Sequence, residues 1–365
     1  MWKRIKNILK DKNNGDEELE NSYKKLLYEL KDGNSAQIIT TELSLSGEGK
    51  ILNFNRTINN DKVLSDEERQ KILEIGKPQC LQRADKMIFA EPNFKKERMI
   101  IFGGGHVAVP LVKFAKITGF YVVVIDDRLS FANTSRFPEA DEVICESFEN
   151  CLKKVKPTES DYFIIITRGH RYDKVCIREL MKYKESVYTG MIGSRRRTKI
   201  ILENLEEEGY DKERLSRICT PIGLEIGAVT TEEIGISIMA EVIKRKRLES
   251  TGNTLINRSD LEDEVIVKIA ENTEACCVVT IMESTGSVPR NAGAKMLVYP
   301  DGRIFGSIGG GCVESSVICQ SRELIGTGNY KVISVSLDGE DAMAEGMVCG
   351  GTLKLLMEDC SINVI

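Results

Sequence analysis

Apolar positions along this chain follow two different periods, and the change of period divides it. Between Ser22 and Leu30 they fall at helical spacing (Tyr23, Leu26, Leu27, Leu30), while Ser35–Leu45 reads as a strand. The polar stretch around Asn59, Asn60 and Asp61 predicts a loop, and Ser65-Asp-Glu-Glu68 opens a helix with an N-cap and an acidic first turn. Lys86–Ala90 is a short strand. From residue 97 to 247 the pattern predicts strands at Arg98–Phe102, Tyr121–Ile125, Tyr162–Thr167 and Val187–Ile192. Helices are expected at Val107–Thr118, Phe148–Val155, Asp173–Tyr183, Arg195–Glu208 and Thr231–Arg245. Short, wholly apolar strands separated by helices imply a parallel sheet covered on both faces. After a charged segment, Lys244–Arg247, read as the start of a linker, the pattern changes again. A helix over Glu264–Glu271 and a strand over Cys276–Met282 precede a hairpin, Ala294–Tyr299 and Arg303–Ser307, turned at Pro300-Asp-Gly302. A helix over Val313–Leu324 and strands near Lys331–Leu337 and Thr352–Met357 follow.

The first and last blocks resemble each other. Lys31–Glu42 lines up with Ala270–Ile281, and both continue to a Ser- or Thr-Gly step, Ser46-Gly47 and Thr285-Gly286. Both blocks end in a strand with an acid after it, at Glu91 and at Glu358. The match implies a repeated unit flanking the central block. The first copy lacks the glycine–cysteine loops of the second and is expected to be structural.

Two glycine-rich regions carry chemistry. Gly103-Gly-Gly105-His-Val-Ala108 fits GxGxxA, placed between an apolar strand and a helix, as a Rossmann-type turn requires. Such glycines let backbone amides approach a pyrophosphate at the helix N-terminus. Asp126, ending the next strand, is the expected acceptor for ribose hydroxyls, which favours an NAD-like ligand. The alternative is a tight strand–helix junction that binds nothing. His106 is read either as a phosphate donor or as a helix cap. Thr167-Arg-Gly-His170 and Gly193-Ser-Arg-Arg-Arg197 follow later strands, where doubly wound sheets bind ligands, and the arginines are either an anion clamp or a solvated helix start.

The second region is Gly309-Gly310-Gly311-Cys312-Val-Glu314, with Cys349-Gly350-Gly351 and Gly286-Ser-Val-Pro-Arg290. The glycines can form an anion nest, and Cys312 enters a helix where the dipole favours thiolate. Arg290 adds a cation. If these loops converge, they give one or two soft sulfur ligands beside phosphate-binding amides, which suits a thiophilic metal on a phosphorylated pterin. The alternative is that both cysteines pack as small hydrophobes under glycine turns. Cys276-Cys277 is read as core.

Composition narrows the rest. A net charge of −5 without a long basic run argues against nucleic acid. No apolar run reaches the length of a membrane helix, and residues 1–20, basic but without a signal-peptide core, are read as a short or frayed helix. Eleven cysteines without a CxxC fit reduced thiols in a cytoplasmic protein. Two histidines leave few near-neutral proton donors, so no catalytic residue is assigned.

Together these motifs resemble the xanthine dehydrogenase accessory family, XdhC/CoxI. Ile101–Ala108, Ile125-Asp-Asp-Arg128 with Phe137–Asp141, Tyr188–Ser194 and Pro221–Ala228 are similar to its Rossmann domain. Gly286–Arg290, Gly293–Met296, Gly306–Glu314 and Met347–Gly351 are similar to its cysteine-bearing domain. In the usual arrangement the cysteine-bearing domain comes first; here the intact copy follows the Rossmann block. The resemblance implies an α/β fold: a doubly wound, Rossmann-like domain at 96–247, flanked by smaller α+β domains at 21–95 (degenerate) and 263–365, with a linker at 248–262. It implies binding of molybdenum cofactor (molybdopterin), support of its sulfuration and delivery to an apo molybdenum hydroxylase, with Cys312 and Cys349 as the candidate cofactor and metal contacts and Gly309 to Gly311 as the backbone cradle. A cysteine desulfurase would be the sulfur donor and a homodimer the default assembly, with no nucleic acid or membrane partner. Such a protein is a chaperone more than a turnover enzyme. An NAD-dependent oxidoreductase using the glycine turn, and a scaffold that binds neither nucleotide nor pterin, are the competing readings.

Overall fold

The computed structural model describes residues 22–31, 36–45, 51–83, 86–249, 258–336 and 351–360. The chain divides into two compact units, one formed by Lys96–Thr254 and the other by the segments on either side of it.

The central unit is a five-stranded parallel sheet. Its strands are β5 (Arg98–Phe102), β6 (Tyr121–Asp126), β7 (Glu142–Cys145), β8 (Tyr162–Ile165) and β9 (Tyr188–Met191), in the order β7-β6-β5-β8-β9. Met99, Ile100, Ile101 and Phe102 of β5 have no exposed surface, because side chains from both faces of this strand meet helices. On one face lie Leu111, Val112 and Ala115 of α3 (Ala108–Ile117), with Ile238, Met239 and Val242 of α8 (Thr231–Lys244). On the other lie Leu152 of α4 (Cys151–Val155), Cys176 and Ile177 of α5 (His170–Leu180), and Ile201 and Leu205 of α6 (Arg195–Glu207). The chain leaves β5 toward one face and β8 toward the other, so the sheet's switch point lies between these two strands.

Several expectations change. The helix predicted over Phe148–Val155 begins only at Cys151, although Phe148 is still buried. Strand β7 and the short helix α7 (Lys212–Ser216), capped by Asp211, carry too few apolar residues to stand out by period. The segment expected as a linker at Lys244–Arg247 is helical: Lys244 ends α8, and Arg245–Glu249 continues as a π-helical turn whose Lys246 pairs with Glu97. Thr230 caps α8 in a reciprocal box with Glu233.

The flanking segments, expected as two separate domains, form one unit. The first contributes α1 (Ser22–Lys31), β1 (Ala36–Leu45), β2 (Ile51–Ile58), α2 (Asp66–Ile75), β3 (Gln79–Gln82) and β4 (Met87–Phe94). The second contributes α9 (Asp263–Glu271), β10 (Cys277–Gly286), β11 (Lys295–Val298), β12 (Ile304–Gly306), α10 (Gly311–Leu324), β13 (Tyr330–Ser336) and β14 (Gly351–Asp359). Their antiparallel sheets run β2-β1-β4-β3 and β12-β11-β10-β14-β13. Apart from the added edge strand β12, the two orders correspond strand for strand. The unit's cores are shared: Leu43, Met87 and Phe89 pack with Met282 and Leu356, and Tyr23, Leu26 and Ile39 with Val265, Ile269 and Val278.

The charges correspond too. Arg56 on β2 donates to Thr41 Oγ1 at 2.9 Å and ion-pairs with Glu358 on β14 at 2.8 Å. Lys295 on β11 donates to Thr280 Oγ1 at 3.0 Å and to Glu91 on β4 at 2.6 Å. Thr41 and Thr280 are the threonines that the internal sequence match places together. Each cation belongs to one segment and its carboxylate to the other. Burial opposes the charge on both cations, yet the facing carboxylates hold their pKa values above the ordinary range.

Two further expectations fall outside the described residues: the N-terminal segment 1–20, and most of the linker at 248–262.

Candidate functional site: two glycine-rich loop systems

At the switch point of the central unit, β5 delivers the chain into the glycine turn. Gly103 has φ +108°, and a Cβ there would lie 2.4 Å from the Ile166 carbonyl oxygen, so the loops after β5 and β8 touch. A Cβ on Gly104 would meet the Phe131 carbonyl at 2.1 Å. Gly105 faces open space. His106 is exposed, and the N-cap of α3 is Val107, with no side-chain capping bond; His106 therefore does not cap the helix.

Asp126 is buried and occupied. Oδ1 accepts from the Arg128 backbone N–H (3.0 Å) and Nε (2.8 Å); Oδ2 accepts from the Gly104 N–H (2.9 Å) and Arg128 Nη2 (2.9 Å). Burial alone would raise this carboxyl, but the bonds from Arg128 and Gly104 hold it below the usual carboxylate range. All four acceptor positions of the carboxylate are filled. The residue expected to take a ribose instead braces the glycine turn. The signal was in the sequence, since Arg128 is part of the Ile125–Arg128 motif. Farther along the rim, Arg168 pairs with Asp127 and stacks on Tyr172, while Thr167 donates to the buried Asp173 at 2.6 Å. Of the three arginines after Ser194, Arg195 pairs with Glu225 at 2.7 Å.

In the other unit, the loop between β12 and α10 is held by Glu314, a member of the glycine–cysteine motif to which the sequence assigned no role. Glu314, in the first turn of α10, accepts from Ser307 Oγ (2.9 Å) and the Ile308 N–H (3.0 Å), and Ser307 Oγ in turn accepts from the Gly309 N–H (3.1 Å). This fixes Gly309, Gly310 and Gly311, all at positive φ (+133°, +77° and +69°). A Cβ on Gly309 would lie 2.3 Å from Pro289 Cγ, whereas Gly310 faces open space. Gly310 is the N-cap of α10 and supplies no side-chain cap to the helix's first N–H groups.

The expected convergence of loops is met in its described parts. Gly309 packs on Pro289; a Cβ on Gly351 would lie 2.7 Å from the Thr285 carbonyl and 2.8 Å from that of Ser287. Gly286 and Gly351 are also register partners between β10 and β14. Thus the 286–290 turn touches both glycine loops. Cys312 lies in the first turn of α10, its side chain outside the described set, and Cys349 and Gly350 fall outside the described residues. Among the described residues no group of three or more metal-ligating side chains gathers.

Arg290 departs from expectation. Its guanidinium donates to Asp260 Oδ2 (3.0 Å), Glu262 Oε1 (2.7 Å) and the Asp260 carbonyl (2.9 Å). These acids lie about thirty residues upstream, so no local motif announced them. Arg290 is a brace for its turn rather than a free cation. Among the described residues, no helix is long and apolar enough to cross a membrane.

Residues 99–242 match the XdhC Rossmann domain, and residues 269–336 match the XdhC and CoxI family. The chain is 36% identical over 154 residues to a Bacillus subtilis protein named as a probable xanthine dehydrogenase component, covering 42% of this chain and 44% of that protein. It is 34% identical over 80 residues to the Escherichia coli molybdenum cofactor insertion chaperone PaoD, covering 22% of this chain and 25% of that one. The chain thus spans less than half the length of each of these relatives. A solved structure titled as a xanthine dehydrogenase from Bacillus halodurans is 29% identical, with a TM-score of 0.49, covering 61% of this chain and 66% of that one. Gly103–Ala108, Gly286–Arg290 and Gly309–Glu314 all lie within the matched residues, and the chain belongs to the XdhC accessory family.

Proposed function

We propose that this protein binds molybdenum cofactor as cargo and delivers it to an apo molybdenum hydroxylase of the xanthine dehydrogenase type. The observation that carries the reading is the contact of the 286–290 turn with both glycine loops, through Pro289 against Gly309 and Ser287 against Gly351. The uncapped start of α10, with Gly310 open beside it, offers backbone N–H groups to a phosphate. Cys312, in the same turn, supplies sulfur, a ligand type that molybdenum accepts. In this reading Gly309, Gly310 and Gly311 form the cradle, Cys312 and Cys349 reach the metal, Gly350 and Gly351 allow close approach, and Arg290 holds the 286–290 turn in shape.

The wider reading includes exchange of a terminal oxo ligand for sulfido with a cysteine desulfurase as donor, a homodimeric state and a cytoplasmic setting. The names of the relatives support a role in maturation. The oxidoreductase alternative needs Asp126 to accept from a ribose, and the four bonds to its carboxylate weigh against it.

The test is cofactor retention by the full chain, wild type against Cys312→Ala and Cys349→Ala, read by metal analysis and pterin fluorescence. Retention that falls sharply in either variant supports the proposal. A wild type that takes up neither metal nor pterin refutes it.

A further inference from the structure

We propose that the cleft between the first turns of α5 and α6 is a binding site for a phosphate monoester carried on an apolar organic group. It belongs to the central unit and stands independently of the cargo reading.

The cleft has a volume of about 460 Å³ and is lined by His170, Arg171, Lys174, Arg196, Arg197 and Ile200, among others. That volume is within the range of small-molecule sites. Its charge is one-sided. Lys174 is answered by Glu208 at 2.6 Å, a carboxylate that also takes Arg178. Arg171, Arg196 and Arg197 form no ion pair among the described residues. Their neighbours differ: Arg195 is paired with Glu225 and Arg168 with Asp127. Asp173, under the first turn of α5, is buried and bonded by Thr167, and it is the carboxylate near enough to Arg197 to feel its charge; Arg171 and Arg196 have no such neighbour among the described residues.

The arginines also stand at the wrong end of their helix. Arg195, Arg196 and Arg197 occupy the first turn of α6, which carries no acidic residue, and the N-cap Ser194 makes no side-chain capping bond. Cations there oppose the helix dipole and repel one another. A bound dianion resolves both conflicts, because it neutralises the guanidinium groups and accepts from the free N–H groups of α6. Two forks from adjacent residues, with a third from α5, match the several oxygens of a phosphate better than the two of a carboxylate. Ile200, half exposed at 50% beside this charge, provides an apolar surface for the group that carries the phosphate.

The experiment is calorimetric titration of the full chain with phenyl phosphate and with inorganic phosphate at fixed ionic strength. The expected result is one saturable site for phenyl phosphate. Arg196→Ala/Arg197→Ala weakens it tenfold or more, Arg195→Ala leaves it unchanged, and Ile200→Ser removes the advantage of phenyl phosphate over inorganic phosphate. Without ligand, the double variant should unfold at a higher temperature than wild type, since repulsion is relieved. Absence of binding overturns the proposal. So does binding that survives the double variant, binding that Arg195→Ala weakens as much, or a stoichiometry of several phosphates per chain with tighter capture of a single-stranded oligonucleotide, which would mark a diffuse basic surface.

Discussion

Lys295 on β11 reaches across to Glu91 on β4, 2.6 Å away, with only 1% and 2% of the two side chains exposed. The two residues lie on opposite sides of the central unit in sequence, so the bond closes only after both flanking segments have folded together.

Removing one partner leaves a buried charge without its counterion. Lys295→Met is expected to cost about 3–5 kcal/mol of stability, whereas Lys295→Met with Glu91→Leu should come close to wild type. Denaturant unfolding of the three proteins measures this. A single variant as stable as the double would show that the pair does not hold the sheets together.

Asp126→Asn should loosen the glycine turn by about 1–3 kcal/mol, because the buried Gly104 N–H and the partly exposed Arg128 guanidinium lose their charged acceptor. Since the folded carboxyl sits below its ordinary value, its contribution is fully present above the usual carboxylate range and is lost as pH falls through the lowered pKa. The difference between wild type and variant should therefore shrink in acid, as read from unfolding midpoints between about pH 7 and about pH 3.

Asp173 behaves in the opposite sense. Burial pushes its carboxyl up to about 6. Against an unfolded value of about 3.9, the folded protein holds the proton that the unfolded chain has released, so stability falls as pH rises from about 4 to about 6 and is level beyond. Asp173→Asn keeps an acceptor for Thr167, should remove that slope and should gain about 1–3 kcal/mol at about pH 8. Equal slopes for the two proteins would refute the assignment.

Gly309→Ala places a Cβ 2.3 Å from Pro289 Cγ at a φ of +133°. A loss of about 1–3 kcal/mol is expected from the strained backbone and the clash. Pterin retention should fall with it. Trimming the obstacle, in Pro289→Ala/Gly309→Ala, should restore part of the retention but not all of it, since the unfavourable φ persists.

Much of this architecture can be read from local pattern. The apolar runs of β5, β6 and β8 are continuous because both faces are covered, and Ser65 with Glu68, like Thr230 with Glu233, announces a helix start by chemistry that acts within four residues. Strand β2 is not legible in this way because Asn53 and Asn55, poor strand formers, point to solvent; its pairing with β1 outweighs their preference. The site divides along the same line. The glycines and Cys312 stand in compact motifs. The roles of Asp126 and Arg290 depend on which donors and acids the fold brings to them, and only Arg128 stands near enough in sequence to hint at its partner.

The first flanking segment has the cation, hydroxyl and carboxylate of its counterpart without the glycine–cysteine loops. It is a buttress: Arg56 grips Glu358 near the end of β14, the strand that begins at Gly351. Strand β14 is therefore held in place by the first flanking segment. A lesion at Arg56, hundreds of positions from Cys349, should surface as a defect in holding cargo.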